Sequence, residues 1–306
     1  MTPVIAGSIN RTPTGPHRRC DMFRIVRTLL AKICKMSIPN IFLLPIFLIL
    51  ILAGIVFYPQ IENIIVFYPD QAFDDNPSNW DLSYRDIKFL TPDGQKLHGW
   101  FFPVSGKPPV LLFCHGNAGN ISHRIENIKF LVKRDISVFI FDYRGYGKSS
   151  GRPSEKGIYI DGIAAYNYLT EIEKISPNRI VIFGRSIGSA VAIEVALKRK
   201  VRCLIIESTF TSTKDMAKTI FPFFIVSPFL PHHYNNIVKI GYVSVPKLII
   251  HGNNDKIVPF TMGEKLFAKA TGPKTFLPLN GAGHNDTYII GGEGYFDALV
   301  NFITMY

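Results

Sequence analysis

The chain has 306 residues, 47% of them hydrophobic, and a formal net charge of +11. That length allows one large domain or two small ones, and four cysteines in it do not make a disulfide scaffold. The basic residues form no stripe interleaved with aromatics, which argues against nucleic acid as a partner.

Much of the charge is a single flank. Arg11, Arg18, Arg19, Arg24, Arg27, Lys32 and Lys35 precede residue 41, against one acid, Asp21. Residues 41–58 then carry no charge. About 18 apolar residues are enough to cross a bilayer, and Pro45 is tolerated in such a helix. The expectation is a cytoplasmic segment at 1–40, an uncleaved transmembrane signal-anchor at 41–58, and the rest of the chain on the non-cytoplasmic side. A cleaved signal peptide is the rival reading, but no convincing small-x-small cleavage site follows the apolar run. A buried core helix is the third, and the basic flank argues against it. Met22 and Met36 are alternative starts, and a start at Met36 would remove all seven basic residues. The bilayer is thus an expected partner, and Cys20 and Cys34 are placed for acylation.

Val56-Phe57-Tyr58-Pro59 recurs as Val66-Phe67-Tyr68-Pro69, too few copies for a solenoid. Residues 59–81 read as a juxtamembrane stem, and the folded domain as 82–306. Segments 84–90 and 99–103 flank Thr91-Pro92-Asp93-Gly94, a turn signal, and predict a hairpin. Strands are predicted at 110–114, 137–141, 179–183, 202–206, 247–250 and 275–279. Helices are predicted at 121–133, 158–172, 190–198, about 261–270, and 295–306. Near-continuously apolar strands alternating with helices define an α/β protein: a mostly parallel sheet with helices on both faces. Ligands bind such sheets at the carboxyl ends of the strands. A cap insertion of about 211–245 holds an apolar run at 220–231 that would line an acyl pocket, dip into a membrane, or simply be core helix broken by prolines.

Gly184-Arg185-Ser186-Ile187-Gly188 stands between a strand and a helix, the context of a nucleophile elbow. The turn is tight, and Gly184 and Gly188 are the flanking positions that must lack a Cβ. His115-Gly116-Asn117-Ala118-Gly119-Asn120 follows the 110–114 strand. There the N–H of Asn117, with that of Ile187, would form an oxyanion hole; a plain turn capping the next helix is the other reading. Asp142-Tyr143-Arg144-Gly145-Tyr146-Gly147-Lys148-Ser149 ends like a P-loop but lacks its first glycine, and reads as a structural loop. Asp255, after the 247–250 strand, is placed to orient a histidine, and Glu207 is the rival acid. His284, in Gly281-Ala282-Gly283-His284-Asn285-Asp286, completes the order Ser…Asp…His. No Cys/His spacing suggests a metal, and no cofactor is called for. Two glycosylation sequons start at Asn120 and Asn285, and the second abuts His284.

With these motifs the chain from residue 84 onward resembles the α/β-hydrolase superfamily, closest to its membrane-anchored α/β-hydrolase-domain proteins and their bacterial relatives. The resemblance rests on the motifs at 115–120, 142–147, 184–188, 251–255 and 283–286. It implies an α/β-hydrolase fold with Ser186 as nucleophile, His284 as general base and Asp255 as its orienter. The activity it implies is a serine hydrolase acting on carboxylic esters or thioesters, including lipid-like or acyl substrates. A peptidase of the prolyl-oligopeptidase type and a non-catalytic anchored scaffold are the alternatives; a haloalkane dehalogenase would want a carboxylate at 186.

Overall fold

Strands β3 (Val110–Cys114), β4 (Ser137–Phe141), β5 (Ile180–Arg185), β6 (Cys203–Glu207) and β7 (Lys247–Gly252) are buried along their whole length. Their Val, Ile, Leu and Phe runs leave no polar face, so the sheet they form must be covered on both sides. β1 (Arg85–Leu90) and β2 (Lys96–Phe102) make the expected hairpin, closed by the Gly94 N–H on the Thr91 carbonyl at 2.9 Å. With β8 (Lys274–Leu279) they complete an eight-stranded sheet in the order β8-β7-β6-β5-β3-β4-β2-β1. Only β2 runs against its neighbours. The computed structural model describes residues 66–220 and 233–306, with isolated positions at 45, 46 and 49. The expected transmembrane helix at 41–58 and the apolar run of the cap beyond 220 therefore lie outside the described residues. Among the described residues no helix is long and apolar enough to cross a membrane. All elements named here belong to one unit, residues 62–306.

Alternation along the strands sorts the core into two layers. Val110, Leu112, Phe139 and Phe141 face one side, packed with α2 (Glu155–Asn167), α3 (Ile187–Lys198) and α6 (Phe260–Lys269). Leu111, Phe113, Val138 and Ile140 face the other, packed with α1 (Ile125–Val132) and α7 (Thr287–Met305). Each such fully buried side chain contributes about 1.5–3 kcal/mol. The cap region supplies α4 (Thr213–Ile220) and the single turn α5 (Asn236–Lys239).

Four predicted helices differ in detail; α3 begins at Ile187, three residues before its predicted start, because the turn at Ser186 runs straight into it. The first of the four opens with a 3-10 turn, Ile121–Arg124, because the Asn120 side chain accepts the Ser122 N–H at 2.9 Å and ends the preceding loop there. α2 begins three residues earlier than predicted, where Ser154 accepts the Gly157 N–H at 3.1 Å, and passes into a wider π turn at Tyr168–Ile172. α7 starts at Thr287, eight residues early, and is kinked at Gly292 (φ 49°, ψ −139°), a conformation open to glycine; the Gly291-Gly292 pair hid the first turns from a periodicity reading. Residues 66–81, assigned to the stem, lie against the domain, with Phe67 5% exposed. Asn120 is fully buried and donates its amide to the Asp70 and Ala72 carbonyls, so its sequon is closed to a glycan in the folded protein. Cys114 and Cys203 are free and buried, and burial pushes the Cys203 thiol up to about 12.

Candidate active site

The elbow is built by close backbone contact. Ser186 sits between β5 and α3 at φ 54°, ψ −120°, a conformation costing about 1–3 kcal/mol that the surroundings must hold. Its N–H donates to the Glu207 carbonyl at 2.9 Å, and its own carbonyl accepts from Ser189 N–H at 3.0 Å. A Cβ on Gly188 would lie 2.0 Å from the Cys114 carbonyl oxygen; one on Gly184 would lie 2.5 Å from that of Gly188. Neither position admits a side chain. The exclusion lets α3 start directly beneath the serine, with the Ile187 N–H among the free donors of its first turn.

His284 leaves β8 on a loop closed by Gly283 N–H to Asp286 Oδ1 at 2.6 Å. Its Nε2 lies 3.1 Å from Ser186 Oγ and its Nδ1 2.7 Å from Asp255 Oδ2. The other Asp255 oxygen accepts the N–H groups of Ile257 and Val258, both at 2.8 Å. Burial opposes ionisation of Asp255. The His251 and His284 imidazoles beside it and the Val258 N–H outweigh burial and hold the carboxyl well below the usual carboxylate range. The Asp255 side chain has no exposed surface and that of His284 is 9% exposed. Ser186, Asp255 and His284, named from sequence, are therefore in one hydrogen-bonded row.

Glu207, the rival acid, is engaged elsewhere. It accepts from Thr287 Oγ1 at 2.6 Å and Tyr295 Oη at 2.5 Å, and pairs with Arg185 Nε at 3.1 Å. Burial, with Glu207 next, pushes the Tyr295 hydroxyl far up, so it remains a donor. Arg185 in turn donates to the His284 carbonyl at 2.9 Å. This network ties the elbow to the histidine loop. It was missed from sequence, although an arginine at the end of a wholly apolar strand must find a buried acid.

Asn117 lies in the loop after β3, and a Cβ on its neighbour Gly116 would stand 3.7 Å from Ser186 Cβ. The loop thus borders the elbow on the side of α3's first turn. A surface groove of about 660 Å³, lined by Asp93, Glu155, Tyr159, Glu194 and Arg199, contains none of these residues. At the surface, Asp70, Asp74 and His123 bring one potential ligand atom each within 4.8 Å of one another; all three are exposed, and His123 already bonds Asp74 at 2.7 Å.

A strand–elbow–helix serine with a histidine and a buried carboxylate, on a sheet with one reversed strand, defines the α/β-hydrolase class. The α/β-hydrolase fold family matches at residues 109–226. The chain is 36% identical over 274 residues to an uncharacterized protein, Rv2307c, of Mycobacterium tuberculosis, covering 88% of this chain and 98% of that one. It is 33% identical over 284 residues to the alpha/beta hydrolase domain-containing protein WAV2 of Arabidopsis thaliana, covering 84% and 92%. Among solved structures, a Pyrococcus furiosus esterase, Pf2001, superposes with a TM-score of 0.66 at 21% identity, covering 78% of this chain and 99% of the esterase. The chain belongs to the α/β-hydrolase family.

Proposed function

We propose that the protein is a serine hydrolase of carboxylic esters or thioesters, anchored through residues 41–58 with its active site on the non-cytoplasmic face. The observation that carries the catalytic part is the row Ser186 Oγ, His284 Nε2 and Nδ1, Asp255 Oδ2 at 3.1 and 2.7 Å. A serine hydroxyl is a weak nucleophile until a base takes its proton. His284 does so as Ser186 attacks the carbonyl, and Asp255, already ionised, fixes the imidazole tautomer and stabilises the imidazolium. The main-chain N–H groups of Asn117 and Ile187 receive the tetrahedral oxyanion. His284 then protonates the leaving alcohol or thiol, and water releases the acyl group by the same steps. The anchoring part rests on the uncharged run at 41–58 and the basic flank before it. Ile257 and Ile289, on the segments that carry Asp255 and follow His284, stand 53% and 60% exposed and suit an apolar acyl group.

Full-length protein in detergent micelles is expected to hydrolyse p-nitrophenyl butyrate and an S-butyryl thioester and to leave a Gly-Pro p-nitroanilide intact. Turnover of the anilide alone would replace this reading with the peptidase; turnover of none would favour the scaffold.

A further inference from the structure

The recurring Val66-Phe67-Tyr68-Pro69 and the Asp142–Ser149 loop meet at Asn117. The Asn117 carbonyl accepts from the Tyr146 hydroxyl at 2.7 Å and from the Tyr68 N–H at 3.2 Å. Its side-chain amide donates to the Val66 carbonyl at 2.8 Å. Among the described residues no acceptor takes its main-chain N–H. Tyr68 and Pro69 form a two-residue parallel bridge with Ala118 and Gly119, and the Asp70 N–H continues it to Gly119 at 3.3 Å. The Asp70 carbonyl accepts from Asn120 Nδ2 at 3.1 Å and from the Gly147 N–H at 2.9 Å. Phe67 packs edge-on against the Tyr146 ring at 6.5 Å between centroids. Tyr143, from the same loop as Tyr146, donates its hydroxyl to the His115 carbonyl at 2.9 Å.

We propose that residues 66–70 are a strap which, together with Tyr146, sets the position of the Asn117 N–H for the oxyanion. The proposal rests on the serine-hydrolase reading of the site. Its physical basis is that Asn117 stands between Gly116 and Ala118-Gly119, which bring little side-chain packing to hold it, so the strap and Tyr146 supply the restraint there. The bonds to the Asn117 carbonyl and from its side-chain amide fix the residue from its Cα onward, which leaves the Gly116–Asn117 peptide plane that carries the N–H little room to turn, and that plane borders Ser186 through Gly116. A shift well below the length of a hydrogen bond takes the donor out of reach of the oxyanion while the ester still binds. Val66, Tyr68 and Tyr146 are thus positioning residues, and the chain's route into the domain is part of the catalytic apparatus. Burial pushes the Tyr146 hydroxyl up, so it stays a donor throughout the ordinary pH range.

The test uses the full-length protein in micelles with p-nitrophenyl butyrate and a trifluoromethyl ketone of matching chain length, which mimics the tetrahedral adduct. Tyr146→Phe keeps the ring and removes the donor; Asn117→Ala keeps the main-chain N–H and removes the tie to Val66. Each is expected to lower kcat about tenfold with KM unchanged within about twofold, and to raise the ketone's Ki by the same factor as kcat falls. Tyr166→Phe, which deletes a similarly buried hydroxyl bond to the Lys200 carbonyl, is the control and is expected to move neither constant. Unchanged kcat and Ki in both strap variants, or equal losses in Tyr166→Phe, would overturn the strap. A wild type inert to ester and ketone alike would overturn the hydrolase reading itself, a result distinct from failure of the strap alone.

Discussion

Replacing His284 with alanine is expected to lower kcat for an ester substrate about a million-fold. The reason lies in one contact. Ser186 Oγ has its proton acceptor 3.1 Å away at His284 Nε2, and no other base among the described residues bonds it. His251 is near Asp255 but gives its Nε2 to the Val258 carbonyl at 3.0 Å, within the Asp255 loop. On the proposed reading, the residual rate comes from the oxyanion donors alone. Stability is expected to change little, by about 1 kcal/mol, because His284 sits at the edge of the core in a loop also held by Arg185 and Asp286. The measurement is initial rate against protein concentration beside a thermal unfolding curve.

Asp255→Asn is expected to lower kcat about ten-thousand-fold with the fold intact. The amide keeps the shape but offers its NH₂ to His284 Nδ1, which selects the wrong tautomer. The variant also loses a stability increment. The folded pKa of Asp255 is depressed, so the carboxylate stabilises the native state fully above its unfolded value of about 3.9, and this is lost as pH falls through the folded value. At neutral pH the wild type has that increment and the variant does not. Glu207→Gln is the contrast. It breaks a buried pair with Arg185 and is expected to cost about 3–5 kcal/mol. The molecules that remain folded should keep kcat within about tenfold. If the two phenotypes were exchanged, Glu207 would be the orienting acid.

The parts of this molecule that sequence makes legible are those in which one local constraint acts alone. A strand covered on both faces must be continuously apolar, and β3 to β7 are, which is why their positions could be read to within a residue or two. The elbow needs two glycines at fixed spacing around a serine, and the clashes at Gly184 and Gly188 are the reason. The order of Ser186, Asp255 and His284 follows from three strand ends in a parallel sheet. What could not be read depends on pairs distant in sequence. Arg185 at the end of an apolar strand signals that it needs a buried acid, but not that the acid is Glu207 or that it also reaches the His284 carbonyl. The stem gave no sign that Val66 and Tyr68 bond Asn117, some 50 residues away. The first turns of α7 were hidden because Gly291 and Gly292 interrupt the apolar period, although Thr287 is anchored there by a buried bond to Glu207.

The central claim is that Ser186 is an activated nucleophile. Its most direct test is fluorophosphonate labelling of the full-length protein, wild type beside Ser186→Ala. Labelling of the wild type that disappears in the variant is the predicted result. A folded wild type that takes no label, or a variant that labels equally, would contradict it.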